Sequence, residues 1–302
     1  MAKFEFGFEE SWLRLIVKKL PGNPDLFQLK SVEKAQAILR VGKVKVSAAR
    51  AWAESAGIIF KNGRGFSLTA LGKIIARHDP DLEENGIWWA LHYNLAKQSS
   101  PAWFYSYYFN KFDADAFDRA TLEDELRTWW DENHEKPMTD SVFSKLIFSP
   151  FKQVFEGTRF GQDFGLFAVK EDGTFLRQPK GSQPPPGTII AYALLDWAIE
   201  NQRQSAHLEK LFEQWGIAKI FRLDRETFDD ILIDIGEKYQ KRIAWISHTA
   251  GLNSVSIMDI PPLALVSAYY HELDGEEPMA ALIKGQDELK KIGEKKSLPL
   301  FS

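Results

Sequence analysis

Apolar residues recur at helical spacing in two neighbouring segments near the start of the chain, 31–40 and 46–57. A short linker, VGKVK, lies between them and carries a glycine where a tight turn would need one. Three- and four-residue spacing places the apolar positions of each segment on one helical face: Val32, Ala35, Ile38 and Leu39 in the first, and Val46, Ala49, Ala53 and Ala56 in the second. The pattern predicts a helix-turn-helix.

The next residues, 58–77, predict a hairpin followed by a third helix. Two short apolar runs flank Asn62-Gly63-Arg64-Gly65, and Asn and Gly tolerate the positive φ that a tight hairpin needs. Thr69 precedes ALGKIIAR and is a suitable N-cap residue for that helix. Together, the segments predict an N-terminal winged helix-turn-helix, with the hairpin as its wing.

The rest of the chain alternates amphipathic segments with short turn signals. Asp172-Gly173 and Ala250-Gly251 each predict a hairpin, and residues 206–215 predict a helix that is followed by a short strand over 218–223. The segment 178–187 carries no apolar residues that could pack in a core. The predicted fold is therefore mainly α with small β elements (α+β). An N-terminal arm and winged helix occupy 1–77, and a mostly helical C-terminal domain occupies 78–302, with a subdomain break expected at 178–187.

Composition narrows the class of protein. The 302 residues include 44% hydrophobic and 13% aromatic residues, which suffices for sizeable cores. There are no cysteines, so disulfides, thiolate metal sites and cysteine nucleophiles are excluded. The first residues carry acids where a signal peptide would be apolar, and no apolar run approaches the ~18 residues of a membrane span. We expect a cytoplasmic protein that makes no membrane contact.

Positive charge is concentrated in the predicted winged helix. Residues 1–77 hold 14 Lys and Arg against 6 Asp and Glu, a net charge of +8, whereas the remainder holds 24 against 36. The candidate DNA-binding residues lie in the turn, on the open face of the second helix and on the wing: Lys43, Lys45, Ser47, Arg50, Lys61 and Arg64. This distribution favours binding of double-stranded DNA. The alternative is a winged helix that contacts only proteins, with an ordinary solvated basic face.

An acidic block, HDPDLEENG, follows the third helix. Its Asp79 and Glu83 are candidate catalytic residues and ligands for a divalent ion such as Mg²⁺, with His92 close enough along the chain to orient a water or a phosphate. The competing interpretation is that the acids favour the positive end of the next helix, and the residues alone make this interpretation the better one. No Walker P-loop, HExxH or GxSxG motif is present, and we expect no organic cofactor.

Two further features have a structural and a functional interpretation. The run PAWFYSYYFNKFDADAF could stack on unpaired bases, but a core seam is the better interpretation. Asp196 lies inside an apolar helix, where we expect a buried hydrogen-bond donor as its partner rather than a substrate.

Six motifs, in this order and spacing, resemble the SspB-type DNA phosphorothioation-associated family, formerly a domain of unknown function and distinct from the protease adaptor SspB. They are LRVGKVKVSAARAWAESAGII, LTALGKII, HDPDLEENGIWWALHYNLA, AYALLDWA, FRLDRETF and SHTAGL. The resemblance implies an anti-phage DNA modification system in which this protein nicks DNA for sulfur incorporation. It also implies three partners, namely a cysteine desulfurase, an ATP pyrophosphatase and an ATPase. The alternative is a noncatalytic DNA-recognition subunit that recruits the sulfur-transfer machinery, and a homo-oligomer is compatible with either role.

Overall fold

Over the described residues the fold is mainly helical with three small antiparallel sheets, which agrees with the predicted mainly α class with small β elements. The computed structural model describes residues 4–7, 9–144, 149–177, 184–249 and 252–293. Their helices are α1 (Glu10–Lys19), α2 (Val32–Leu39), α3 (Lys43–Ser55), α4 (Ala70–His78), α5 (Asn85–Ala96), α6 (Trp103–Asn110), α7 (Arg119–Asn133), α8 (Asp140–Phe143), α9 (Ser149–Gly157), α10 (Arg159–Gln162), α11 (Gly187–Glu200), α12 (Ile217–Ile220), α13 (Arg225–Lys238), α14 (Leu263–Leu273) and α15 (Pro278–Ile292). Their strands are β1 (Ile59–Asn62), β2 (Gly65–Leu68), β3 (Ala116–Phe117), β4 (Ala168–Val169), β5 (Phe175–Leu176), β6 (Ser205–His207), β7 (Ala244–Thr249) and β8 (Leu252–Ile257).

The predicted order of helix, turn, helix, hairpin and helix occurs as α2, α3, β1–β2 and α4. All four apolar residues of the second predicted helix that were expected to face inward are buried: Val46, Ala49, Ala53 and Ala56. Thr69 caps α4 as expected, because its hydroxyl oxygen accepts a hydrogen bond from the Gly72 amide at 3.0 Å.

The turn between α2 and α3 differs from the predicted one. Its left-handed residue is Arg40, with a φ of 57°, whereas Gly42 has a φ of −69° and is the N-cap of α3. In the hairpin, Gly63 does take a positive φ, 58°, and Asn62 pairs with Gly65 across the turn. At Gly63 the backbone conformation therefore favours glycine.

Long-range strand pairing overrides the local pattern between residues 205 and 223. The expected helix over 206–215 is absent: β6 occupies 205–207, where Ala206 pairs with Val255 of β8, and a 3₁₀ turn over Leu208–Leu211 follows. Where a strand was expected over 218–223, residues 218–220 instead form the end of helix α12. The three-stranded sheet has the order β6-β8-β7, and a second sheet has the order β3-β5-β4. The predicted hairpin around Asp172-Gly173 is present as β4–β5.

Buried side chains form one continuous core across the expected boundary at 77/78. Phe4 of the N-terminal arm packs edge-on against Trp52 of α3 and Phe104 of α6, with ring centroids 4.9 and 5.3 Å away. The Asn94 amide of α5 donates to the Ala56 carbonyl at 3.1 Å. The aromatic run at 101–117 contributes mostly to this core, as expected.

Two expected features lie wholly or partly outside the described residues: the turn at 250–251, and residues 178–183 of the expected subdomain break. Among the helices of the described ranges, none combines the length and apolar character that crossing a bilayer requires.

Candidate functional site

A groove of about 660 Å³ lies between α3, the β1–β2 hairpin and the 3₁₀ turn Leu29–Ser31. Its floor includes Phe27 and Phe66, whose rings meet edge-on with centroids 5.5 Å apart. The Phe66 amide donates to the Pro24 carbonyl at 2.8 Å, which fixes the hairpin against the segment before α2. We call this feature the basic groove, after the cations that line it: Lys30, Arg50, Lys61 and Arg64.

The residues that line the basic groove carry a net positive charge, although one of them is acidic. Glu54 is the acidic residue of the lining, and its Oε2 lies 3.5 Å from Nε of Arg50. Burial raises the pKa of the Glu54 carboxyl, while the positive charges of Arg50 and Lys61 act in the opposite direction. The Arg50 guanidinium also lies 5.7 Å from the centre of the Phe66 ring. Arg50 thus contacts Glu54 of α3 and Phe66 of the hairpin. Lys30, Lys61 and Arg64 are exposed to solvent.

One stripe of α3 leads into the basic groove. Positions 43, 47, 50 and 54 follow each other at intervals of four, three and four residues, so they share a helical face. Most other positions of α3 are buried. The predicted Lys43, Ser47 and Arg50 therefore lie along the same accessible stripe.

Lys45 lies elsewhere. It is about half a turn of the helix away from Lys43, its Nζ makes an ion pair with Glu9 at 3.0 Å, and it lies over the rings of Phe6 and Trp12. Lys61, Arg64 and Arg50 line the basic groove together with Lys30. Lys45 is not part of that lining. Lys30 was not among the predicted residues, because it lies in a 3₁₀ turn outside the periodic segments.

The first turn of α3 offers backbone donors next to this stripe. Gly42 is its N-cap and supplies no side chain to accept their hydrogen bonds. The free N–H groups at such a helix end attract anions, and Lys43 adds a full positive charge there.

Asp79 organises the loop that leads into α5. Its Oδ1 accepts from the Glu83 amide at 2.8 Å and its Oδ2 accepts from the Glu84 amide at 3.1 Å. Asp79 is 6% exposed, whereas Glu83 is exposed. Both Asp79 oxygens are thus bonded to backbone amides of the loop that precedes α5.

His92 does not meet these acids at a surface. It is fully buried, its Nε2 donates to the Ile220 carbonyl at 2.9 Å, and its Nδ1 accepts from the Tyr105 hydroxyl at 2.8 Å. Burial lowers the pKa of His92 to about 4. The predicted group of Asp79, Glu83 and His92 is therefore not assembled as a site that water or phosphate can reach, and His92 is a core residue.

Asp196 has the expected structural partners. Its Oδ2 accepts from the Tyr93 hydroxyl at 2.9 Å and from Nζ of Lys97 at 2.7 Å. Among the residues that the structure describes, a different group could hold a metal ion, namely His78, His271 and Glu288. It shares no member with the predicted pair Asp79 and Glu83.

Comparisons with known proteins show similarity of the whole fold to solved structures and a match of residues 5–148 to one family model. The fold is that of two solved structures. The SspB crystal structure is 22% identical, covers 96% of this chain and 98% of its own, and has a TM-score of 0.76. The magnesium ion-bound SspB crystal structure is 21% identical, covers 96% and 97%, and has a TM-score of 0.74. Residues 5–148 match the family described as protein of unknown function, DUF4007. A search of curated proteins found no match.

Proposed function

We propose that this protein binds double-stranded DNA through the basic groove and the adjoining stripe of α3. The observation that carries the proposal is the convergence of Lys30, Arg50, Lys61 and Arg64 on one accessible groove. In this interpretation α2, α3, α4 and the hairpin act as a winged helix. The concentration of positive charge in residues 1–77 of an otherwise acidic chain supports it.

The contacts divide into two kinds. Lys61 and Arg64 on the hairpin bind backbone phosphates, which positions the protein without reading sequence. Ser47 and Arg50 lie on the face of α3 that enters the major groove, where an arginine can donate two hydrogen bonds to a guanine. The N–H groups that follow Gly42 bind a further phosphate at the start of α3.

The wider role in this proposal is DNA recognition for a phosphorothioation system in the cytoplasm. It rests on the six motifs and on the shared SspB fold. The partners would be a cysteine desulfurase, an ATP pyrophosphatase and an ATPase. Nicking of DNA with Mg²⁺ enters only through the family resemblance, because the predicted catalytic residues are not assembled. The geometry thus supports recognition better than catalysis.

A salt titration tests the DNA interface. The variant Arg50→Ala/Lys61→Ala/Arg64→Ala should bind a 30-bp duplex more weakly, and the slope of log K against log salt should flatten by about 1.8, roughly 0.9 for each of the two phosphate contacts made by Lys61 and Arg64. Fluorescence anisotropy over a range of salt concentrations measures both quantities.

The matched control removes three exposed lysines outside the N-terminal region: Lys136→Ala/Lys170→Ala/Lys210→Ala. It changes the net charge equally and should leave affinity and slope near those of the wild type. Equal losses in the two variants, or no loss in a folded groove variant, would rule out the basic groove as the DNA site.

Nicking is tested separately on supercoiled plasmid with and without Mg²⁺. Glu83→Gln changes an exposed carboxylate and should leave any wild-type nicking rate unchanged, since Glu83 lies in no assembled site. A Mg²⁺-dependent rate that disappears in Glu83→Gln while duplex binding persists would restore the acidic block as a catalytic centre.

A further inference from the structure

Helix α4 and the consecutive helices α14 and α15 bring two imidazoles and one carboxylate together. His78 is the last residue of α4, His271 lies in α14, and Glu288 lies in α15. Their candidate ligand atoms all lie within 4.8 Å of one another, and Nε2 of His78 is 2.9 Å from Oε2 of Glu288. In a tetrahedral site with ligand bonds of about 2.0–2.1 Å, donor atoms are about 3.3 Å apart. The three groups thus need shifts of only about 1 Å to share an ion.

The carboxylate of this cluster is held in place from several sides. Glu288 is 5% exposed, and its Oε2 accepts from the Ser267 hydroxyl at 2.5 Å. Its Oε1 accepts from Nη1 of Arg77 at 3.1 Å. The Arg77 side chain is 62% exposed, so it can turn into solvent when another cation takes its place.

Both imidazoles are also oriented by neighbours. The His78 ring stacks on Tyr270, with centroids 5.0 Å apart and an angle of 11° between the planes. Nδ1 of His271 lies 3.8 Å from Oε1 of Glu276, and the two histidine rings meet edge-on at 5.4 Å. The same Glu276 oxygen bonds Nζ of Lys284, so Glu276 faces the His271 ring at a distance longer than a hydrogen bond.

A simple ion pair between His78 and Glu288 would not require the third group. The second imidazole, whose ring meets that of His78 edge-on, distinguishes this cluster from such a pair. Two imidazoles and one carboxylate favour a borderline transition metal, whereas Mg²⁺ prefers a shell made of oxygens. The side chains of His78 and His271 are 15% and 19% exposed, so water can reach the cluster and supply a fourth ligand.

We propose that His78, His271 and Glu288 bind one divalent transition-metal ion of the Zn²⁺ class. The ion would join the end of α4, the last helix of the proposed DNA-binding unit, to the α14–α15 pair. This site is independent of DNA binding.

The test uses the full chain, without an affinity tag and stripped of metal. Wild-type protein should bind one equivalent of Zn²⁺ by calorimetry, and Co²⁺ should give visible absorption bands typical of a low-coordinate site with nitrogen ligands. His271→Ala should lower the affinity for Zn²⁺ at least tenfold and remove the Co²⁺ bands. His207→Ala, which changes an exposed histidine outside the cluster, should keep both.

Thermal melting adds a second measurement. Zn²⁺ should raise the Tm of the wild type and of His207→Ala but not that of His271→Ala, because a ligand of the folded state stabilises it only where it binds. If loss of His271 also lowers the Tm without metal, Glu288→Gln provides a second comparison. Saturable binding that is unchanged in His271→Ala and Glu288→Gln, or no binding by the wild type, would overturn the proposal. Arg50→Ala/Lys61→Ala/Arg64→Ala should bind Zn²⁺ normally, which separates this site from the DNA interface.

Discussion

His92 lies among five aromatic rings whose centroids are 4.5–5.8 Å from its own: Trp89, Tyr105, Phe109, Phe160 and Phe221. Because burial lowers its pKa to about 4, against an ordinary value of 6.5, the folded protein binds fewer protons here than the unfolded chain between these two pH values. The contribution of His92 to stability is therefore fully present above about pH 6.5 and falls as the pH drops towards 4.

We expect this linkage to remove roughly 3 kcal/mol of unfolding free energy across that window, at 1.36 kcal/mol per pKa unit. Urea unfolding at a series of pH values measures it. His92→Gln has no titrating group at this position and should lose less stability between pH 6.5 and 4, whatever its stability at pH 7.5. Parallel pH profiles for the two proteins would contradict the assignment.

Asp79 offers a second test at the same scale. In Asp79→Asn the amide nitrogen cannot accept a hydrogen bond, so either the Glu83 or the Glu84 amide loses its partner. We expect a cost of about 1–3 kcal/mol in the free energy of unfolding, with duplex affinity unchanged. Glu83→Gln, at an exposed neighbour, should cost less than about 0.5 kcal/mol. Equal stability of Asp79→Asn and wild type in urea would argue against this role.

The acidic block shows what the residue types alone can and cannot predict. A carboxylate one residue after α4 suits both a metal and a helix start, and although the residue types favour the helix start, only the positions of the Glu83 and Glu84 amides separate the two. His92 was ambiguous for the same reason, because its partner Ile220 lies 128 residues away. The cluster at Glu288 was out of reach of the sequence, since its histidines come from helices whose packing no local pattern specifies.

At the scale of single elements, the start of α3 can be altered without disturbing its packing. A Cβ at Gly42 would meet no other atom within 4 Å, and Gly42 already has the extended conformation of an N-cap residue. In Gly42→Asp the new carboxylate can accept the N–H groups of the first turn and should preserve or slightly raise the Tm. The same carboxylate repels a phosphate at this end.

Duplex affinity of Gly42→Asp should therefore fall several-fold, although the protein is at least as stable. Gly157→Asp adds the same charge at an exposed glycine in the C-terminal half and should bind DNA as the wild type does. Anisotropy and thermal melting on the same preparations provide the comparison. A Gly42→Asp variant with wild-type affinity would exclude the start of α3 from the interface.

Elements with a strong local period were predicted well, and elements that depend on distant partners were not. The spacing of Val46, Ala49 and Ala53 was enough to orient α3. By contrast, β6 forms because Ala206 pairs with Val255 of β8. Without that pairing, the spacing of the apolar residues around β6 is typical of a helix. The pairing with β8 determines the structure of this segment, and the sequence of the segment alone does not reveal that partner.

For the whole molecule, the chain should unfold as one unit in spite of the expected boundary at 77/78. Asn94 bonds to Ala56 across that boundary, and Phe4, Trp52 and Phe104 share one cluster. Native-state hydrogen exchange should give the most protected amides of α3 and α11 the same opening free energy. A markedly lower value for α3 would mean that the N-terminal unit opens by itself.

The core that crosses the 77/78 boundary has a consequence for how the protein folds during synthesis. A nascent chain whose first 78 residues have left the ribosome contains α1, α2, α3 and α4 but not Phe104 or Asn94, which complete the core around Trp52 and Ala56. Domains often fold in order as they emerge. Here we expect the four helices to remain loosely packed until α5 and α6 are released, so that Trp52 is accessible to chaperones during synthesis.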